Sequence, residues 1–241
     1  MVHCTVLKYV GRGTSRGLHD GSAAFSAEVF RSHLQFMAEH RFRPVGLDQV
    51  AKAFKGGARL PERAVAITFE GEASFSDAIG NLLLAQHIPA TVFVDPRSDD
   101  RHGLRSRMQQ MIELNLTIGH QIVIERFSPE QLPVPTEQQV REAKVELEQL
   151  HGEPVLHATY AFDVFLGTER KILGRLGYDT ASTVATAMAG LHIEPFSIRQ
   201  SLINEQDDIG RFGWKLWRSG AKPGFVKGGS GVNRAAQIAG A

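Results

Sequence analysis

Residues 66–75 read AITFEGEASF, an apolar strand-forming run that ends in Glu70, Gly71 and Glu72 before a helical pattern begins. Two carboxylates therefore stand where a buried strand should meet solvent. Carboxylates so placed suit general-base work or the binding of a hard cation. Two further strand ends collect polar groups, one from His120 and Gln121 to Glu125, the other from Tyr160 through Phe162 to Asp163. The simpler reading of any one of these carboxylates is that it caps the next helix or faces water. What raises the interest is that three strands end in this way.

The elements that would position these residues alternate along the chain. CTVLKYV reads as a strand, and Phe30, Leu34, Met37 and Ala38 make the apolar stripe of a helix over Ser26 to His40. AVAITF is a continuous apolar run of the kind buried on both faces. After it, Ser74 with Asp77 gives a capping signature ahead of Phe75, Ala78, Ile79, Leu82 and Leu83. ATVFVD is the next strand, then a helical pattern over Leu104 to Leu114, then TIGHQIVI as a strand. Thr136 with Gln139 has capping-box spacing and opens another helix. HATYAF, a helix near Thr168 to Leu176 and the strand DTASTVA continue the series. This alternation implies an α/β chain of βα units around a parallel sheet, and so many units fit a (β/α) barrel better than an open sheet. In such a barrel the chemistry sits at the C-terminal ends of the strands, where the polar residues collect.

Composition narrows the classes. The 241 residues can bury a full core, and one domain over residues 1–220 is expected, followed by a loosely held Gly/Ala-rich tail over 221–241. Lys and Arg number 27 against 26 Asp and Glu, with no basic stretch interleaved with aromatics, so no nucleic-acid partner is expected. The one cysteine, Cys4, cannot form an internal disulfide. The opening MVHCTVLKYV lacks the regions of a signal peptide and no apolar run is long enough to span a membrane, so the expected location is cytoplasmic.

Three segments carry a family resemblance: FSAEVFRSHLQFMAEHRFRPVGLDQVAKAF, LPERAVAITFEGEASFSDAIGNLLLAQHIPATVFV and LTIGHQIVIERFSPEQL. Together they resemble the polysaccharide deacetylases, the NodB-homology domains of carbohydrate esterase family 4, in order from about residue 4 to about residue 217. The resemblance implies a distorted (β/α) barrel of about seven parallel strands. It also implies a site in which an Asp-Asp-Gly triplet supplies a base and one metal ligand, and a His-x-x-x-His pair supplies two more. The metal, zinc or another divalent ion, would polarise an N-acetyl carbonyl and activate water.

Carried over residue by residue, the motifs are degenerate. Glu70 stands at the base, Gly71 at the metal-binding Asp and Glu72 at the turn Gly. Gln121 and Glu125 stand at the two His positions. Tyr160, Ala161, Phe162 and Asp163 fall on a segment whose backbone helps hold the oxyanion, and Val10 follows Tyr9 where relatives often carry His. A replacement ligand set of Glu70, Glu72, Glu125 and His120 is chemically reasonable for zinc or iron. Strand alternation opposes it, because His120 would point away from the side that Gln121 faces.

Two functions of different class are consistent with these residues. One is a metal-free, catalytically impaired homologue with no cofactor, binding a glycan or a partner protein of polysaccharide biosynthesis through a groove of Glu72, Gln121, Glu125, Tyr160 and Phe162. The alternative is an active deacetylase or hydrolase of N-acetyl C–N bonds with an altered site and Glu70 as general base. A purely structural role in a polysaccharide assembly machine is a third.

Overall fold

The run AVAITFE forms the strand Ala64–Glu70 (β3), and every one of its residues is buried. Burial on both faces is what a central strand of a parallel barrel requires. The structure, a computed structural model, describes residues 2–11, 25–71, 74–97, 101–122, 136–160, 169–183 and 194–218, with the backbone alone at 101, 102, 169 and 218.

The remaining strands are Thr5–Tyr9 (β1), Arg43–Pro44 (β2), Ala90–Val94 (β4), Thr117–Ile122 (β5), His157–Tyr160 (β6), Thr180–Thr183 (β7) and Ile198–Ile203 (β8). Their order is β1-β8-β7-β6-β5-β4-β3-β2, and β1 also pairs with β3. That pairing closes seven parallel strands into a barrel and leaves the two-residue β2 as an appendage on β3. The helices are Ala27–Glu39 (α1), Leu47–Phe54 (α2), Asp77–Ala85 (α3), Arg101–Glu113 (α4), Glu137–His151 (α5), Glu169–Arg175 (α6) and Ile209–Arg218 (α7). No helix among the described residues is long and apolar enough to cross a membrane. The (β/α) barrel expected from the alternation, in the distorted seven-stranded form that the family resemblance implies, is the fold observed.

Alternation along the strands divides the core in two. Outward-facing Leu7, Tyr9, Ile67, Phe69, Val92 and Ile118 join Phe30, Met37, Ile79, Leu104 and Phe212 of the helices in the larger cluster. Tyr9 is its hub beneath α1, with ring centroids 5.0 Å from Phe25, 5.1 Å from Phe30 and 5.4 Å from Phe69. Inward-facing Val6, Ala66, Phe93 and Ile198 form the smaller cluster together with Leu47 and Val50 of α2. Helix α2 therefore covers the N-terminal end of the barrel. Asp48 fastens it there, its Oδ1 lying 2.9 Å from Nε2 of His157 at the start of β6. Gly119 has a steric reason: a Cβ there would lie 2.5 Å from the Phe93 ring that crosses the interior.

Several local readings need correction. Ala38 of the α1 stripe is exposed, and His33 takes its place among the buried residues of that helix. The N-cap of α3 is Ser76, not Ser74. Ser74 is fully buried at the mouth, where its hydroxyl donates to the Glu70 carbonyl and accepts from the Gly11 amide at 2.9 Å. The capping box at Thr136 and Gln139 is present as expected, opening α5. Helices α2 and α7 and strand β8 were not read from the pattern.

Two buried imidazoles make the fold acid-sensitive. Burial pushes His33, stacked 3.8 Å from Phe212, from 6.5 down to about 4. Burial, aided by the charges of Arg97 and Lys144, pushes His120 from 6.5 down to about 3. The folded state thus prefers both rings neutral, whereas the unfolded chain protonates them near 6.5. The stabilisation is complete above that value and is lost as pH falls from 6.5 towards the folded values. Each ring contributes a slope of up to about 1.4 kcal/mol per pH unit. Urea denaturation at pH 7 and at pH 5 should show a marked loss at the lower pH, and His120→Gln should lessen it. Equal stability at the two pH values would contradict this.

Candidate functional site at the barrel mouth

Glu70 is the last residue of β3, on its inward face, and it does not stand alone. The β1–β3 register pairs Lys8 with Thr68, one inward position below Glu70. From there the lysine stem extends towards the mouth and brings Nζ to 2.7 Å from Glu70 Oε1. The lysine side chain is 1% exposed and the glutamate side chain 11%. A buried ion of either sign would cost several kcal/mol alone, on the order of what the pair recovers when both are present. Beneath it lies a polar ladder. Thr68 Oγ1 donates to the Leu7 carbonyl at 2.8 Å and accepts from Gln200 Nε2 at 3.2 Å, and Thr159 Oγ1 donates to Gln200 Oε1 at 3.2 Å. The upper interior is thus hydrogen-bonded and charged, unlike the apolar layer against α2.

Gly71 turns the chain out of β3 with φ at +71°, a left-handed conformation that glycine adopts without strain. Its amide bonds to the Phe93 carbonyl at 2.8 Å, and its carbonyl accepts from the Ser74 amide at 3.2 Å. A Cβ built on Gly71 would lie 3.4 Å from Oε1 of half-buried Gln121. The positions that correspond by resemblance to one carboxylate ligand and one imidazole ligand therefore face each other, but they hold a hydrogen and a neutral amide. Among the described residues, no three His, Cys, Asp or Glu side chains are grouped to hold a metal ion. Glu72, Glu125 and Phe162 lie outside the described residues, as do Ala161 and Asp163.

The other named residues are placed differently. Tyr160 ends β6 with its ring in the helix-facing cluster, 5% exposed, and Thr159 is the neighbouring β6 residue that faces the interior. The Tyr160 ring is thus not presented at the mouth to stack on a sugar. His120 also faces the helices, its Nδ1 sharing a 2.5 Å hydrogen bond with the Tyr178 hydroxyl. It lies away from Glu70, as strand alternation predicted.

Lys8 is the mouth residue that the sequence reading passed over. Its one signal was a cation in the middle of the otherwise uncharged strand CTVLKYV. At the opposite end, Thr180, His157 and Asp48 form a hydrogen-bonded line, with Thr180 Oγ1 2.8 Å from His157 Nδ1. Thr180 is fully buried, so this line braces α2 and offers no accessible nucleophile.

The ion pair makes a direct prediction. Lys8→Met removes the buried ammonium 2.7 Å from Glu70 and should lower stability by about 3 kcal/mol. Adding Glu70→Leu should recover most of that loss, because an apolar pair removes both desolvation costs. Urea midpoints of the parent, single and double variants measure this, and a neutral Lys8→Met would refute the role given to the pair.

By sequence, no family model and no curated protein matches the chain. Solved structures do. IcaB from Ammonifex degensii superposes with a TM-score of 0.69 at 17% identity, over 91% of this chain and 97% of that one. The deacetylase PplD of Streptococcus pyogenes, solved in complex with acetate, gives 0.66 at 14%, over 89% and 97%. A polysaccharide deacetylase from Bacillus cereus gives 0.63 at 14%, over 89% of this chain and 68% of that one. At such identities the likeness is one of architecture, and this chain has the polysaccharide-deacetylase fold that the NodB-homology resemblance implied.

Proposed function

We propose that this chain is a metal-free, catalytically impaired member of the polysaccharide-deacetylase family that binds a carbohydrate, N-acetylated in class, at the former active-site mouth. The observation that carries the reading is the 2.7 Å ion pair between Glu70 and buried Lys8. A carboxylate that already holds a cation is a weaker base than a free one, because protonation would sacrifice the pair. The divalent metal of the family does not fit the described residues: of its ligand positions, Gly71 offers no side chain and Gln121 offers a neutral amide. Binding requires only shape and hydrogen-bonding groups, which Gln121 supplies together with Glu72, Glu125 and Phe162 of the same motifs. Tyr160 would contribute to the groove through its backbone, since its ring is buried. The polysaccharide deacetylases among the structural neighbours support the carbohydrate class.

The second reading, an active N-acetyl hydrolase with Glu70 as base, is favoured by one feature. Glu70 remains acidic and inward at a strand end. Elemental analysis of the dialysed protein and an NMR titration with an N-acetylglucosamine oligomer separate the readings. The expected outcome is no stoichiometric metal, shifts of the Gln121 side-chain amide at millimolar sugar, and no acetate release with or without added zinc. Acetate release that Glu70→Gln abolishes would establish the second reading instead. An oligomer that shifts no mouth resonance would leave a protein as the partner of this groove.

A further inference from the structure

We propose that the N-terminal end of the barrel, the end that α2 covers, carries a second binding site for a small molecule that joins a carboxylate or phosphate head to an apolar body. A cavity of about 700 Å³ opens there, between the residues that lead into β1 and the connection from α2 to β3. That volume is typical of small-molecule sites. Val2, Ala53 and Leu60, all half-buried, form its apolar wall, and Leu60 is rooted in the smaller core cluster. The charge around it is of one sign. His3 and Arg59, both exposed, line the cavity, and none of the described residues that line it is acidic. Neighbouring Lys55 is held by Asp179 at 2.6 Å, whereas Arg59 makes no ion pair among the described residues. A guanidinium presents parallel N–H groups in a fork that carboxylates and phosphates both match. The glycine pair at the edge adds an independent observation. Gly56 ends α2 with φ at +75°, a conformation that glycine adopts without strain. Gly57 has no such reason, since its φ is not left-handed and an added Cβ would touch only the Lys52 carbonyl, at 3.4 Å. The backbone there would accept a side chain, so the bare Cα leaves open a space that a larger residue would take up.

The test uses the full chain in NMR titrations with benzoate, phenyl phosphate and inorganic phosphate, and with benzylamine as a control of opposite charge. Benzoate or phenyl phosphate should shift the amide resonances of residues 2, 3 and 56–60 and saturate at millimolar concentration or below, while benzylamine shifts none of them. Arg59→Gln should weaken anion binding roughly tenfold, because it removes a charged hydrogen-bond donor. Gly57→Leu should abolish binding and leave the urea midpoint as in the parent. Should that variant fold poorly, Ala58→Leu fills the same cavity from the neighbouring position. Whichever aromatic anion binds more tightly identifies the head group. Inorganic phosphate that binds as tightly as phenyl phosphate would deny the apolar wall any role and overturn the proposal. Binding that Arg59→Gln leaves unchanged, equal binding of benzylamine, or anions that shift no resonance at this end overturn it as well. The N-acetylglucosamine titration of the mouth should be the same in Gly57→Leu and the parent, so the two sites succeed or fail separately.

Discussion

The rest of the mouth depends on the pairing of β1 with β3. Those five rungs, from Thr5 opposite Val65 to Tyr9 opposite Phe69, turn a sheet into a barrel. They also decide which side chains of β1 enter it. A strand has a two-residue repeat, so a slip of one residue would carry Lys8 into the helix layer and bring Leu7 or Tyr9 inside. Tyr9 would then leave its aromatic cage, and Glu70 would lose its ammonium. Barrel closure and charge balance at the mouth are therefore one constraint. The apolar outer face and the ionic inner face of a five-residue strand both enforce it.

The interior is polarised along its axis. Near α2 it is filled by Val6, Ala66, Phe93 and Ile198, with the Thr180–His157–Asp48 line as its one described polar brace. Towards the mouth it becomes a ladder of Thr68, Gln200 and Thr159 with the ion pair above it. Polar groups can be buried there because each rung finds a partner across the interior: Gln200 of β8 bonds to Thr68 of β3 and Thr159 of β6, neither of them on a strand paired with β8. The rim is joined in the same way, since Ser74 links the end of β3 to Gly11 beyond β1.

The alternation of strands and helices was legible because it depends on period and spacing, and the Thr136 cap was legible because its signal lies within four residues. Ser74 was misread for want of tertiary information: the same local pattern suits a helix cap, but the hydroxyl is recruited by two strand ends. His33 lies outside the apolar stripe read for α1, and only the Phe212 ring of α7, far along the chain, makes its burial intelligible. At the site, Glu70 was visible as a carboxylate at a strand end. Its partner was not, since joining Lys8 to Glu70 needs a register set by residues some sixty positions apart. Tyr160 shows the same limit, because its place at a strand end was readable but the face it presents was not.

Helix α2 gives the barrel a closed floor. With Leu47 and Val50 seated on Val6, Ala66 and Phe93, and Thr68, Thr159 and Gln200 buried above them, the interior is filled from the floor up to the ion pair. Nothing can thread it, so whatever reaches Glu70 must approach it from the rim. Whatever enters also leaves by the route it came.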